Sequence, residues 1–140
     1  MEKEFKFEIV TPNRVFYSDD IEMVVFSTPE GEMGILKNHM PMVVAVDIGI
    51  IKIKKDNEIE EAVVSDGFLE ITDEKVIMFV DSAEWPDEID VERAKEALER
   101  AKKRLKDNVT ANRHIEYRAK ASVGRAMTRI KLAERHRKIR

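Results

Sequence analysis

Val80-Asp81-Ser82-Ala83-Glu84-Trp85-Pro86-Asp87-Glu88-Ile89-Asp90-Val91-Glu92-Arg93-Ala94 contains the change of hydrophobic period that decides the fold. Upstream, apolar positions alternate: Phe5, Phe7 and Ile9 interleave with Lys6, Glu8 and Val10, and Ile51 and Ile53 with Lys52 and Lys54. A period of two puts successive side chains on opposite faces, so these segments read as strands with one buried face. Turn signals recur at Thr11-Pro12-Asn13, Thr28-Pro29-Glu30-Gly31, Asp47-Ile48-Gly49, Lys55-Asp56-Asn57, Ser65-Asp66-Gly67 and Thr72-Asp73. They divide the chain up to Ser82 into about eight to ten short strands, the pattern of an all-β sandwich or barrel.

Trp85-Pro86-Asp87-Glu88 breaks that pattern, and from Asp90 the period is helical. Val91, Ala94, Leu98, Ala101 and Leu105 fall on one narrow seam, as in a coiled coil. Asp90 is placed to cap the helix and Glu92 to meet the positive end of its dipole. The segment from Asp107 to Asn112 has no helix-forming run and reads as a loop. A second helix follows with Ile115, Ala119, Val123, Ala126, Ile130 and Ala133 on one face. The organisation expected is a β domain over residues 1–85 and a helix-loop-helix domain over residues 86–140. Alanine-rich seams suit close antiparallel packing. They also bury little area, and at roughly 25 cal/mol per Å2 such a hairpin is only marginally stable without help from the sandwich or a ligand. Gly124, inside the second helix, costs roughly another 1 kcal/mol relative to alanine. This hairpin is expected to open.

Composition narrows the function classes. The 140 residues allow one main core with an appendage, and the 38% charged share exceeds the roughly 25% usual for globular chains, which implies extensive solvated helix surface. There is no cysteine, which excludes disulfides and thiolate metal sites, and His39, His114 and His136 do not sit at ligand spacing. The start, Met1-Glu2-Lys3-Glu4-Phe5-Lys6-Phe7, does not resemble an export signal. Apolar runs such as Met42-Val43-Val44-Ala45-Val46 and Val76-Ile77-Met78-Phe79-Val80 are far below the roughly 20 residues that span a bilayer. Any membrane association is therefore expected through a partner. The net charge of −3 conceals a split: residues from Arg113 to Arg140 carry ten Lys/Arg against two Asp/Glu, a net of +8, and the rest of the chain carries −11. Such a tail seeks nucleic acid, anionic lipid, an acidic protein surface or a phosphorylated ligand.

No nucleophile-and-base set, Walker loop or Rossmann fingerprint is present, and Gly31-Glu32-Met33-Gly34 lacks the lysine and helix of a phosphate loop. Catalysis by the chain alone is not expected. Helical spacing does place Asp90, Arg93, Ala97, Arg100 and Arg104 on one face of the first helix and Arg118, Ser122, Arg125 and Arg129 on one face of the second. Antiparallel pairing would return Arg125 and Arg129 toward Asp90 and Arg93, so that three guanidiniums stand beside one carboxylate. Guanidiniums grip phosphate oxygens in pairs, and a carboxylate accepts from ribose or adenine donors. The plainer reading of the same residues is a set of solvated surface charges with Asp90 as a cap. Tyr117 is the one aromatic residue of the basic helix, too little stacking surface for a nucleic-acid binder, so an acidic protein groove fits it better. His39, between Asn38 and Met40-Pro41, reads as a turn histidine, and Met23, Met33, Met40, Met42 and Met78 as core or interface filling. A free-standing β-sandwich adaptor, its basic tail binding RNA or anionic membrane, is the alternative on these grounds.

Four segments together resemble the epsilon subunit of bacterial F-type ATP synthases. Glu30-Gly31-Glu32-Met33-Gly34-Ile35-Leu36-Lys37-Asn38-His39-Met40-Pro41 is similar to that family's E-G-x-x-G-I-x-P-G-H-x-P loop, with Lys37-Asn38 in place of Pro-Gly. Asp66-Gly67-Phe68-Leu69-Glu70-Ile71 resembles G-G-F-x-E-V, with Asp66 in place of the first glycine, and Val80-Asp81-Ser82-Ala83-Glu84 resembles A-D-x-A-E. Ile89-Asp90-Val91-Glu92-Arg93-Ala94 matches the I-D-x-x-R-A motif of ATP-binding members. The resemblance implies a non-catalytic, ten-stranded sandwich bound to the gamma subunit and resting on the c-ring of a proton-translocating synthase. Its place would be peripheral, on the cytoplasmic side of the bacterial plasma membrane, without direct insertion and without nucleic acid. A helical hairpin would switch between folded and extended forms. The extended form would block ATP hydrolysis by meeting the beta and alpha subunits through Arg113, Arg118, Lys120, Arg125, Arg129, Lys131 and Arg135. The folded form would hold regulatory, non-hydrolysed ATP, with or without Mg2+, through Glu84, Ile89, Asp90, Arg93, Ala94, Arg100, Arg125 and Arg129. Arg125-Ala126-Met127-Thr128-Arg129 is similar to the family's R-A-x-x-R. Glu30, Glu32 and His39 would lie in the loop facing the c-ring.

Overall fold

The computed structural model describes residues 3–107 and 113–139, with side chains for 3–106 and 117–136. Residues 108–112 of the expected loop and the side chains of Arg113, His114 and Ile115 lie outside the described residues. Ten strands come first: β1 (Phe5–Val10), β2 (Val15–Ile21), β3 (Met23–Thr28), β4 (Gly31–Leu36), β5 (Met42–Val46), β6 (Gly49–Lys55), β7 (Glu58–Val64), β8 (Gly67–Ile71), β9 (Val76–Val80) and β10 (Ala83–Glu84). A 3-10 turn, Pro86–Glu88, then leads to helices α1 (Val91–Asp107) and α2 (Arg113–Ile139). The chain divides into two compact units, Met1–Trp85 and Pro86–Arg140.

The strands form the expected ten-stranded sandwich as two five-stranded sheets, ordered β2-β1-β9-β8-β5 and β10-β7-β6-β3-β4. All pairings are antiparallel except β1 with β9. The period-two residues do what alternation requires: Phe7, Ile9, Ile51 and Ile53 are all but fully buried in the core with Val24, Phe26, Leu69 and Met78, while Lys52 is exposed. A single residue, Glu22, separates β2 from β3, and across it the chain passes from the first sheet to the second. Lys55 on β6 donates to the Asp19 carboxylate on β2 at 2.5 Å, a link between the two sheets. That hydrogen bond holds the Asp19 carboxyl below its ordinary range and the Lys55 ammonium above its own.

Two turns show why their residue types were chosen. Asp56 and Asn57 take φ of 51° and 63° between β6 and β7, the left-handed pair needed by a two-residue hairpin. Asn38 takes φ of 68° where the resembled loop has glycine. Asparagine tolerates the left-handed region better than most residues, so it can hold a φ that glycine would also take. Gly67 has no such substitute. A Cβ there would stand 1.9 Å from the Phe79 carbonyl oxygen across the β8–β9 ladder, whereas Asp66 beside it is exposed.

In the second unit Ile89 N donates to Pro86 O at 3.3 Å, and α1 and α2 pack as a hairpin. Val91, Ala94 and Ala101 on α1 and Ala119, Ala126 and Ala133 on α2 are buried, while Leu98, Leu105, Val123 and Ile130 are half-buried. The buried positions of the seam are therefore mostly alanine. Leu132, off the expected seam, is fully buried; α2 also lies against the Pro86–Glu88 turn, and a helix with two neighbours buries more than one stripe. Gly124 would offer its Cβ nothing within 4 Å, so no close packing requires it.

Replacing Gly67 with alanine should destabilise the sandwich by about 3 kcal/mol, because the ladder itself blocks the methyl group. Gly34→Ala, whose Cβ would meet nothing closer than 3.8 Å, is the control. Urea midpoints of the two variants check this; equal midpoints would contradict it.

Candidate functional site

The residues expected to bind ATP divide between the two units. Glu84 ends β10, where it pairs with Val63 of β7 in the first unit. The other seven lie in the second unit. Ile89 and Ala94 are buried, so the apolar members of the motif serve the helical packing. Asp90 is the N-cap of α1: Arg93 N donates to its Oδ1 at 3.0 Å and Ala94 N to its main-chain oxygen at 3.0 Å. That bond satisfies one of the orphan donors of the first turn and fixes where Arg93 leaves the helix. Glu92 lies in the same turn, and Arg104 and Lys106 lie in the last turn of α1, each favoured by the helix dipole.

Arg93, Arg100 and Arg125 are exposed, and Arg129 is half-buried. Arg125 Nη2 donates to Ser122 Oγ at 3.1 Å, while that hydroxyl donates to Arg118 O at 3.0 Å. The Ser122–Arg125 link was not foreseen, although the i, i+3 spacing allows it. The bonds of Asp90 and Arg125 described here are thus local to their own helices, and the capping role that the plainer reading gave Asp90 is present. An apolar groove of about 500 Å3 on the hairpin is lined by Leu98, Met127, Ile130, Lys131, Glu134 and Arg135. It takes in Lys131 and Arg135 of the expected inhibitory contacts but none of the eight residues assigned to ATP. Arg118, Lys120 and Lys131 are exposed on α2 and Arg135 is half-buried.

Glu30, Glu32 and His39 do not share one loop. Gly31–Leu36 forms strand β4, antiparallel to β3 from Thr28 opposite Gly31 to Met23 opposite Leu36. Glu30 and His39 flank opposite ends of that strand, about 20 Å apart at 3.3 Å per residue. Glu30 N donates to Thr28 Oγ1 at 3.1 Å, and His39 Nδ1 lies 3.1 Å from Met40 O, a turn contact as expected. Around the His39 end, Leu36 and Met40 are prominently exposed.

Among the described residues no group of three or more histidine or acidic side chains is placed to hold a metal ion, and no helix is long and apolar enough to cross a membrane.

Comparison with known proteins matches both units. Residues 4–86 match the family described as ATP synthase, Delta/Epsilon chain, beta-sandwich domain, and residues 87–134 match ATP synthase, Delta/Epsilon chain, long alpha-helix domain. The ATP synthase epsilon chain of Caldicellulosiruptor bescii is 44% identical over 134 residues, which cover 96% of each chain. That of Alkaliphilus oremlandii is 50% identical over 105 residues, covering 75% of this chain and 78% of its own. A chain of the mitochondrial ATP synthase of Euglena gracilis, solved as an OSCP/F1/c-ring assembly, shares the fold with a TM-score of 0.75 at 20% identity, over 89% of this chain and 78% of that one. Two domains matched in order and across most of the length leave one assignment: the chain belongs to the ATP synthase delta/epsilon family, as an epsilon chain, a non-catalytic subunit.

Proposed function

We propose that the chain couples the rotor of a bacterial, proton-translocating F-type ATP synthase to its catalytic head and restrains ATP hydrolysis through its helical unit. In this reading the sandwich binds the gamma subunit and rests on the c-ring, peripheral to the cytoplasmic face of the plasma membrane. The observation that carries the regulatory half is the pairing of a thin alanine seam with a tail of net charge +8. A seam that buries small side chains is easily exchanged for another partner, and a cationic helix is drawn to acidic surfaces of the beta and alpha subunits. Salt screening would weaken that attraction outside the complex more than within it.

ATP is the ligand proposed for the folded hairpin. Exposed guanidiniums at Arg93, Arg100 and Arg125 supply phosphate donors, and Asp90 serves by fixing the first turn from which Arg93 projects. A ligand that binds only the folded hairpin stabilises it by RT ln(1 + [L]/Kd), so occupancy follows the ATP pool when Kd is near the cellular concentration. ATP binds in this reading with or without Mg2+, and any magnesium would be held chiefly by the nucleotide phosphates.

Isothermal titration of the full chain with ATP should show one site, with affinity lowered at least about tenfold by Arg93→Ala and by Arg125→Ala, the loss of a charge-assisted phosphate contact. Unchanged affinity in both variants would remove these residues from the site. In the assembled enzyme, truncation after Lys106 should raise ATP hydrolysis and leave assembly intact. Hydrolysis at the full-length rate would show that α2 is not the brake.

A further inference from the structure

The sandwich ends on a weak element. In the ladder Ala83 and Glu84 of β10 pair with Val64 and Val63 of β7, and Ser82 N donates to Ser65 Oγ at 2.9 Å and Ser65 N to Ser82 O at 3.0 Å. A two-residue ladder at a sheet edge peels readily under any pull on the chain that follows it. Trp85, the only tryptophan and the last residue of the first unit, comes next. Its ring stacks on Phe16 with centroids 4.6 Å apart and planes at 24°, and it meets Tyr17 edge-on at 6.0 Å. Phe16 is buried in the core, Arg14 stands 5.1 Å over its ring, and Tyr17 in turn meets the fully buried Phe7 at 6.0 Å. Tyr17 is set deep enough that its hydroxyl makes no hydrogen bond among the described residues, and burial, followed by Asp19 and Glu60, pushes its pKa up to about 12.

These contacts cross the sandwich. Phe16 and Tyr17 belong to β2, the edge of one sheet, whereas Trp85 follows β10, the edge of the other. Aromatic pairs of this geometry contribute beyond their burial. Pro86 immediately after Trp85 begins a separate turn. We infer that the Phe16–Trp85 stack is a mechanical stop, which pins the chain at residue 85 so that rearrangement of the helical unit begins at Pro86 and does not reach β10 or the core. The inference rests on the proposed reading of the helical unit as a moving part.

Trp85 reports on its own anchor. In a denaturant titration of the full chain, followed by far-UV helical signal and by tryptophan emission, the helical signal should be lost first. Trp85 should keep its folded emission until the strands melt. Phe16→Leu keeps an apolar side chain but removes the stacking ring, and in that variant Trp85 emission should shift red together with the helical signal. Coincident helical and tryptophan transitions in the unmodified chain would overturn the inference, whatever the variant does. So would a Phe16→Leu protein whose Trp85 still melts with the strands. Failure of the regulatory reading is read separately, as unchanged hydrolysis after truncation, and does not alter these transitions.

Discussion

Burial of large apolar side chains between the two sheets is the interaction on which the rest of this structure depends. Phe7, Phe26, Ile9, Ile51, Leu69 and Met78 are removed from water almost completely there, and each such side chain is worth roughly 1.5–3 kcal/mol of transfer free energy. The helical unit is built differently: its buried positions are mostly alanines, and among the described residues Leu132 is its one large side chain that is fully buried. A firmly packed body is thus followed by a more thinly packed helical pair. Gly67 shows how closely the firm part is built, since its hydrogen occupies the space that the Phe79 carbonyl leaves.

The same difference suits the two halves of the proposed role. A part that transmits torque has to resist deformation, and a close-packed double sheet with a parallel β1–β9 pair at the middle of one layer does so. A part that switches has to exchange partners at a cost of a few kcal/mol, which a narrow alanine seam weakened by an interior glycine allows. Family membership over nearly the whole chain replaces the free-standing adaptor considered from composition.

Much of the fold was legible because alternation is a local signal. Ile51 and Ile53 point inward in alternation with Lys52 and Lys54, and Val76–Val80 and Met42–Val46 are strands with the limits their apolar runs have. What was not legible depends on neighbours distant in sequence. The run from Glu30 to Pro41 is a loop only by the family resemblance, yet Gly31–Leu36 is a strand because β3 pairs with it residue by residue. Leu132 is off the seam in sequence and buried in three dimensions, and α2 has a second neighbour in the Pro86–Glu88 turn that the seam does not account for. At the candidate site, Asp90 was readable as a cap from its place before the first apolar residue, and the structure bears that out. The convergence of arginines on it rested on helical period alone. A period fixes faces but not side-chain partners, and Arg125 is tied to Ser122 on its own helix.

Native-state hydrogen exchange of the full chain, with and without ATP, tests the central claim most directly, because it reads the opening of each unit separately. A firm body with a ligand-held latch predicts that amides of α1 and α2 exchange far faster than those of β1, β8 and β9, and that ATP slows the helices alone. Helical amides as protected as the strands, or unmoved by ATP, would contradict it.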